Sequence, residues 1–334
     1  EIYFAIDFVS IPSHTHPPSL RIDHAHGHLQ TMNFTSSSKF GSPEEVDHST
    51  LSSSATVPTD YGKYDLKIDF QTQTIFGSVE YRVALLSPIA AAANTEFILD
   101  TFHLDINTVT CYTKSSEPKW DASNDPGSAC QWSLDAPDPS LGNALRVALP
   151  SYEQKDMDEG KSIWIKVTYS TTGQSGALQW LPPEQTAGKV HPFCFTQCQA
   201  IHARSLLPCQ DTPRIKIPFL ARVRVVEPFT VLMSANGNFQ QEAAMLPGLS
   251  PQDPAERGFI FSQQQPVPSY LVAIACGDLA FRPTSEYTGV FAEPSVVDSA
   301  AFEFSETEKM VAAGSEITGR RYQEVWGRYD VLCM

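Results

Sequence analysis

The sequence predicts a mainly β protein, and three observations carry that expectation. Short segments alternate apolar and polar residues, as half-buried antiparallel strands do. Polar stretches containing Pro or Gly punctuate them as turns. A helical pattern enters only beyond Pro294.

Residues 1–57 stand apart. They are rich in Ser, Thr, Pro and His, with runs such as Ser36–Ser38 and Ser52–Ser54, and no periodicity persists, so a disordered leader is expected. The opening run Ile2–Val9 is apolar but carries Asp7 and has no basic residues ahead of it, a poor secretory signal. From Tyr61 the period becomes two. Tyr64, Leu66, Ile68 and Phe70 alternate with Lys and Asp, and Val79, Tyr81 and Val83 repeat the pattern. Leu145–Leu149, Ile163–Tyr169, Phe219–Val225 and Tyr270–Cys276 read as further strands, separated by turns at Pro118–Gly127, Pro137–Gly142 and Pro247–Pro254. About ten strands with scarcely a helix predict an all-β domain over 58–282.

The pattern then changes. A strand is expected near Tyr287–Ala292, and Pro294 suits the first turn of a helix, where its missing N–H is no loss. Val297, Ala301, Phe304, Glu308 and Val311 recur at spacings of three and four, which predicts one amphipathic helix ending near Gly319. A strand starts at Tyr329. Residues 283–334 therefore read as the truncated start of a second, α+β domain, with Phe304, Val311 and Val331 expected to lack a core. Glu303, Glu306 and Glu308 read as the solvated side of the helix.

Charge and cysteine usage exclude some functions. The 38 acidic and 23 basic residues give a net charge of −15, which repels phosphate backbones and anionic lipid, so neither nucleic acid nor membrane is an expected partner. No stretch is apolar enough to span a bilayer. Seven cysteines in irregular order form no C-x-x-C pair, and most read as small buried hydrophobes, which fits a reducing, cytoplasmic compartment.

Catalytic motifs are missing. Gly173-Gln174-Ser175-Gly176 is one residue short of a nucleophile elbow. Gly160-Lys161-Ser162 imitates a phosphate loop, but Lys155 stands where its first Gly belongs. Zinc hydrolysis needs paired imidazoles on a helix face and a Glu base; His24 and His28 have the spacing without the Glu. No catalytic residue and no metal ligand can be named from these residues.

The segment from Gly176 to Pro213 is the informative one. Phe195-Thr196-Gln197-Cys198-Gln199-Ala200 followed by Pro208-Cys209-Gln210-Asp211-Thr212-Pro213 closely resembles the zinc aminopeptidase family that includes leukotriene A(4) hydrolase. Val231–Ala235, Tyr270–Ala273, Gly277–Leu279, Glu303–Glu308 and Trp326–Asp330 also match, in the family's order, so the resemblance covers about Tyr61 to Met334. It implies a saddle-like antiparallel β domain, then the start of a thermolysin-like catalytic domain. It also implies a zinc cofactor, peptide substrates with a free amino terminus and, in some members, hydrolysis of a lipid epoxide. The family's G-G-M-E-N and H-E-x-x-H motifs are absent here, so inactivity alone is expected. By resemblance Gln197, Cys198 and Gln199 form a loop that positions the peptide's amino-terminal residue; neutral amides bind without desolvating a charge. Arg204 and Asp211 are expected to pair as scaffold, and His202 to be a hydrogen-bonded structural histidine. The alternative is a non-catalytic, β-rich peptide-binding or interaction module.

Overall fold

A computed structural model describes residues 46–83, 95–114, 127–150, 152, 154–237 and 256–334, together with the backbone of Tyr3–Phe4. Strands dominate it. The largest sheet has eight, in the order Asn236–Gly237, Glu256–Pro268, Lys216–Val226, Thr59–Asp69, Thr74–Val83, Ser162–Thr171, Leu104–Lys114 and Ser128–Ala129. Its pairs are antiparallel, as expected, apart from Lys216–Val226 against Thr59–Asp69, which run parallel. Period two explains the layering: Tyr64, Leu66 and Ile68 are buried while Lys63, Asp65 and Lys67 face outward. A three-stranded sheet of Glu96–Thr101, Asn143–Ala148 and Trp132–Leu134 and a four-stranded sheet of Leu178–Leu181, Phe193–Thr196, Ile274–Gly277 and Thr230–Met233 complete the β domain. The expected strand at Tyr270 starts instead at Ile274, because Ser269–Leu271 form a 3-10 turn.

The last sheet joins Ala280–Pro283, Thr288–Ala292 and Tyr329–Cys333, with Tyr3–Phe4 antiparallel to Tyr329–Cys333 at its edge. The 282/283 boundary therefore falls inside a strand of this sheet. The single expected helix is two, Val297–Glu303 and Thr307–Thr318. Val331 is not stranded. It is 5% exposed beside Val290, Ala292, Val297 and Ala300, with Phe304 packed against them, while Val311 is half-buried. On its other face the sheet meets the β domain through Phe193, Leu232, Ala275, Phe291 and Leu332. Within the four-stranded sheet, Gly277 leaves room for Phe193 on the neighbouring strand: a Cβ there would lie 2.2 Å from its ring.

The expected leader also ends earlier. Residues 46–57 belong to the β domain, with Ser54 and Val57 buried and the Ser53 amide bonded to the Ile98 carbonyl at 3.2 Å. Their Ser and Thr hydroxyls, which resemble disorder by composition, bind carboxylates: Thr50 Oγ1 and the Leu51 amide donate to Asp100. The remaining leader, with His14, His16, His24, His26 and His28, lies outside the described residues.

Beneath the sheets sits a buried polar hub. Arg204 has no exposed side-chain surface, and its Nε donates to Asp211 Oδ2 at 2.9 Å. Nη1 reaches the Leu141 carbonyl at 3.0 Å, and Nη2 reaches the carbonyls of Ser49 at 2.6 Å and Asp211 at 3.0 Å. Asp100, 3.7 Å from Nη1, accepts from the Asp211 amide at 2.9 Å. Burial pushes the Asp100 carboxyl above its usual range, with Arg204 and its hydrogen bonds opposing. Tyr81 and Tyr169 donate to the carbonyls of Pro208 and Leu206, and Gln210 grips both Thr59 and Val57. Arg204 and Asp211 thus take the scaffold role expected of them.

Two outcomes follow from this hub. Arg204→Met leaves two buried carboxylates without their cation, and urea unfolding should show a loss of about 3–5 kcal/mol. Arg204→Lys should recover only part, since a point-like ammonium cannot fork to separate acceptors. Asp47, bonded to Ser49 and Thr212 beside the hub, adds a contribution that depends on pH. Burial works to raise its pKa, but hydrogen bonds from Ser49 and Thr212 and the charge of Arg214 outweigh it, so the folded value lies below 3.8. Its stabilisation is complete above 3.8 and lost as pH falls through the lower folded value. Asp47→Asn should therefore cost about 1 kcal/mol at pH 7, and its unfolding midpoint should converge on that of the unsubstituted chain below pH 3.8.

Candidate substrate loop

The strand Phe193–Thr196 delivers the residues singled out by sequence. It pairs with Leu178–Leu181 on one side and Ile274–Gly277 on the other, so its end is held from both edges. The Gln197 amide donates to the Ala177 carbonyl at 2.8 Å, the His202 amide to the Cys198 carbonyl at 2.9 Å, and the Ile274 amide to Thr196 Oγ1 at 2.9 Å. These bonds fix the backbone of a short loop that then runs straight into Arg204.

Side chains alternate along it. Gln197 and Gln199 are exposed, whereas Cys198 is 3% exposed and packs into the main core. Burial, followed by the nearby charge of Asp211, pushes the Cys198 thiol well above its usual range. The three residues are thus contiguous in sequence but face two ways. The loop offers two neutral amides outward, each able to donate and accept, and an unionised thiol inward as anchor. The His202 side chain is exposed.

Other features escaped the sequence. Asp100 closes the apolar run Phe97–Leu99, and an acid at the end of a buried strand was the available signal. Glu293 accepts the amides of Ala187 and Gly188, both at 2.7 Å, tying the loop after Gln185 to the last sheet. No local pattern announces that pairing across more than a hundred residues. Cys111 and Cys130, expected to be free, are joined as a disulfide with Cα atoms 6.1 Å apart, whereas Cys194, Cys198, Cys209 and Cys276 are free and buried. A cavity of about 140 Å³ lies between Leu232, Asn236, Gln263, Phe291, Trp326 and Leu332; none of the three loop residues lines it. Among the described residues no three His, Cys, Asp or Glu side chains converge to hold a metal, and no helix is long and apolar enough to cross a membrane. The described residues do not fit a zinc site.

Comparison with known proteins gives this geometry a setting. The chain is 32% identical over 271 residues to leukotriene A-4 hydrolase of Xenopus laevis, covering 80% of this chain and 39% of that protein. It is 33% identical to leucine aminopeptidase 2 of Yarrowia lipolytica, covering 87% and 38% respectively. The structure of leukotriene A4 hydrolase from Saccharomyces cerevisiae superposes with a TM-score of 0.70 at 29% identity, over 88% of this chain and 40% of that one. The chain spans about two-fifths of the length of the relatives it matches. Residues 57–271 match the Peptidase M1 N-terminal domain, and the chain belongs to that family.

Proposed function

We propose that this chain forms the substrate-side scaffold of a cytoplasmic zinc aminopeptidase that removes amino-terminal residues from peptides. The observation that carries the reading is the loop at Gln197–Gln199: two exposed neutral amides on a backbone anchored by strand pairing and by the Arg204 hub. The matched relatives include a leucine aminopeptidase, which supports a peptide substrate. In this reading Gln197 and Gln199 bond the peptide's first residue, and Cys198 holds the loop from behind without touching substrate. The residues that bind zinc and activate water are not among those described, so the chain itself supplies orientation and one wall of a cleft.

Two measurements test this. The chain alone, given leucine p-nitroanilide and added zinc, should show no turnover above the blank; steady hydrolysis would place catalytic groups within it and sink the proposal. In the chain joined to the remaining length its relatives have, Gln197→Ala and Gln199→Ala should each raise KM about 2- to 12-fold, the loss of one net hydrogen bond. Their Tm should not move, because both side chains are exposed. An unchanged KM for both variants would return the amides to a merely structural role.

A further inference from the structure

We propose that Cys111 and Cys130 are a reversible thiol–disulfide pair that staples the outer edge of the eight-stranded sheet, a redox-responsive modification site separate from the substrate loop. The strand Ser128–Ala129 is the last in that sheet and contributes only two rungs, Thr110↔Ala129 and Cys111↔Ser128. The Cys130 amide adds one backbone bond to the Val109 carbonyl at 3.1 Å. So short an edge strand is weakly held by its own ladder, and a covalent link across it has a large effect relative to the bonds already there.

The fold brings the two sulfurs together without help from the link. Gly127 turns the chain in with φ +64°, and a Cβ at that position would lie 2.9 Å from the Cys111 carbonyl oxygen. A side chain there would push the incoming strand off; glycine allows the close approach that sets Cys130 beside Cys111. The resulting Cα separation of 6.1 Å falls in the range that disulfides span.

Accessibility separates this pair from the four buried cysteines; Cys333, the remaining free cysteine, is half-buried in a different sheet. Cys194, Cys198, Cys209 and Cys276 are buried, and burial holds the last three thiols well above their usual pKa, where they are unreactive. Cys130 is half-exposed and Cys111 is 8% exposed, so a small thiol or disulfide can reach the former. The co-reactant required is a low-molecular-weight disulfide such as oxidised glutathione. The Cys130 thiolate attacks one of its sulfurs and expels a glutathione thiolate, leaving a mixed disulfide. The Cys111 thiolate then attacks the Cys130 sulfur and expels the second. Two protein thiols lose two protons and two electrons, and one disulfide becomes two thiols. Oxidation closes a loop across a sequence separation of 19, which restricts the unfolded chain and locks the edge strand in place.

The test uses the whole chain equilibrated across glutathione buffers, with free thiols blocked before tryptic digestion. Cleavage after Lys114 and Lys119 separates the peptide 83–114, holding Cys111, from 120–146, holding Cys130. The linked pair should be abundant at high oxidised glutathione and replaced by two blocked peptides at high reduced glutathione. Oxidised chain should melt several degrees above reduced chain, and Cys130→Ser should abolish that difference while keeping the reduced Tm. Peptides that stay unlinked at every ratio, or linked at every ratio, would overturn the proposal. So would a redox-dependent Tm that persists in Cys130→Ser, because another pair would then be responsible.

Discussion

A guanidinium withdrawn completely from water is the constraint on which the rest of this structure depends. Such a charge costs several kcal/mol unless it is paired and its donors are satisfied. Arg204 meets both conditions by drawing distant chain segments together: Ser49, Leu141 and Asp211 all end on it, and Asp100 stands close by. Each acceptor lies on a different stretch, so the hub cannot form until the strands around it have closed. It reports on global closure where an apolar core would tolerate slippage. Buried ion pairs often add little net stability but do penalise wrong arrangements when one partner is missing. Here that penalty falls on any register that misplaces the loop beginning at Gln197.

The junction with the last sheet follows different physics. Phe193, Leu232, Ala275, Phe291 and Leu332 make it apolar, and such contacts are non-directional. Direction comes from Glu293, whose carboxylate takes two adjacent amides. Apolar area thus holds the sheets together while one carboxylate sets how they sit.

Legibility in the sequence tracked how local the determining interaction is. Strands such as Thr59–Asp69 and Ser162–Thr171 could be read because alternation is a local property of one side chain and the next. The parallel pairing of Lys216–Val226 with Thr59–Asp69 could not, since alternation does not encode direction. Residues 46–57 misled because hydroxyls that serve a buried carboxylate have the same composition as a solvated tail. The helix beyond Pro294 was read as continuous because its apolar spacing continues across Phe304, where the chain breaks before Thr307. At the loop, the residue types were visible but their facing was not. Cys198 belongs to the core and its two neighbours to the surface, and only the strand that feeds them decides which is which.

That alternation bears on how a surface amide can bind anything usefully. Ordering a glutamine side chain costs about 1.5–2 kcal/mol of rotamer freedom, and fixing its backbone costs about 1–2 kcal/mol more. One net hydrogen bond returns about 0.5–1.5 kcal/mol. An amide on a mobile loop would therefore lose more than it gained, and even on a fixed backbone one such bond at best balances the ordering of its side chain. Here the backbone part is already met in the free protein. The amide of Gln197 is tied to Ala177, the carbonyl of Cys198 to His202, and the thiol of Cys198 fills the core between them. In the proposed role only side-chain ordering is left to binding, a cost of the same order as one net hydrogen bond, so a fixed frame is what makes two outward amides useful. The buried hub and the exposed amides are then parts of one arrangement: the charge locked away at Arg204 is what lets two uncharged groups be held ready at the surface.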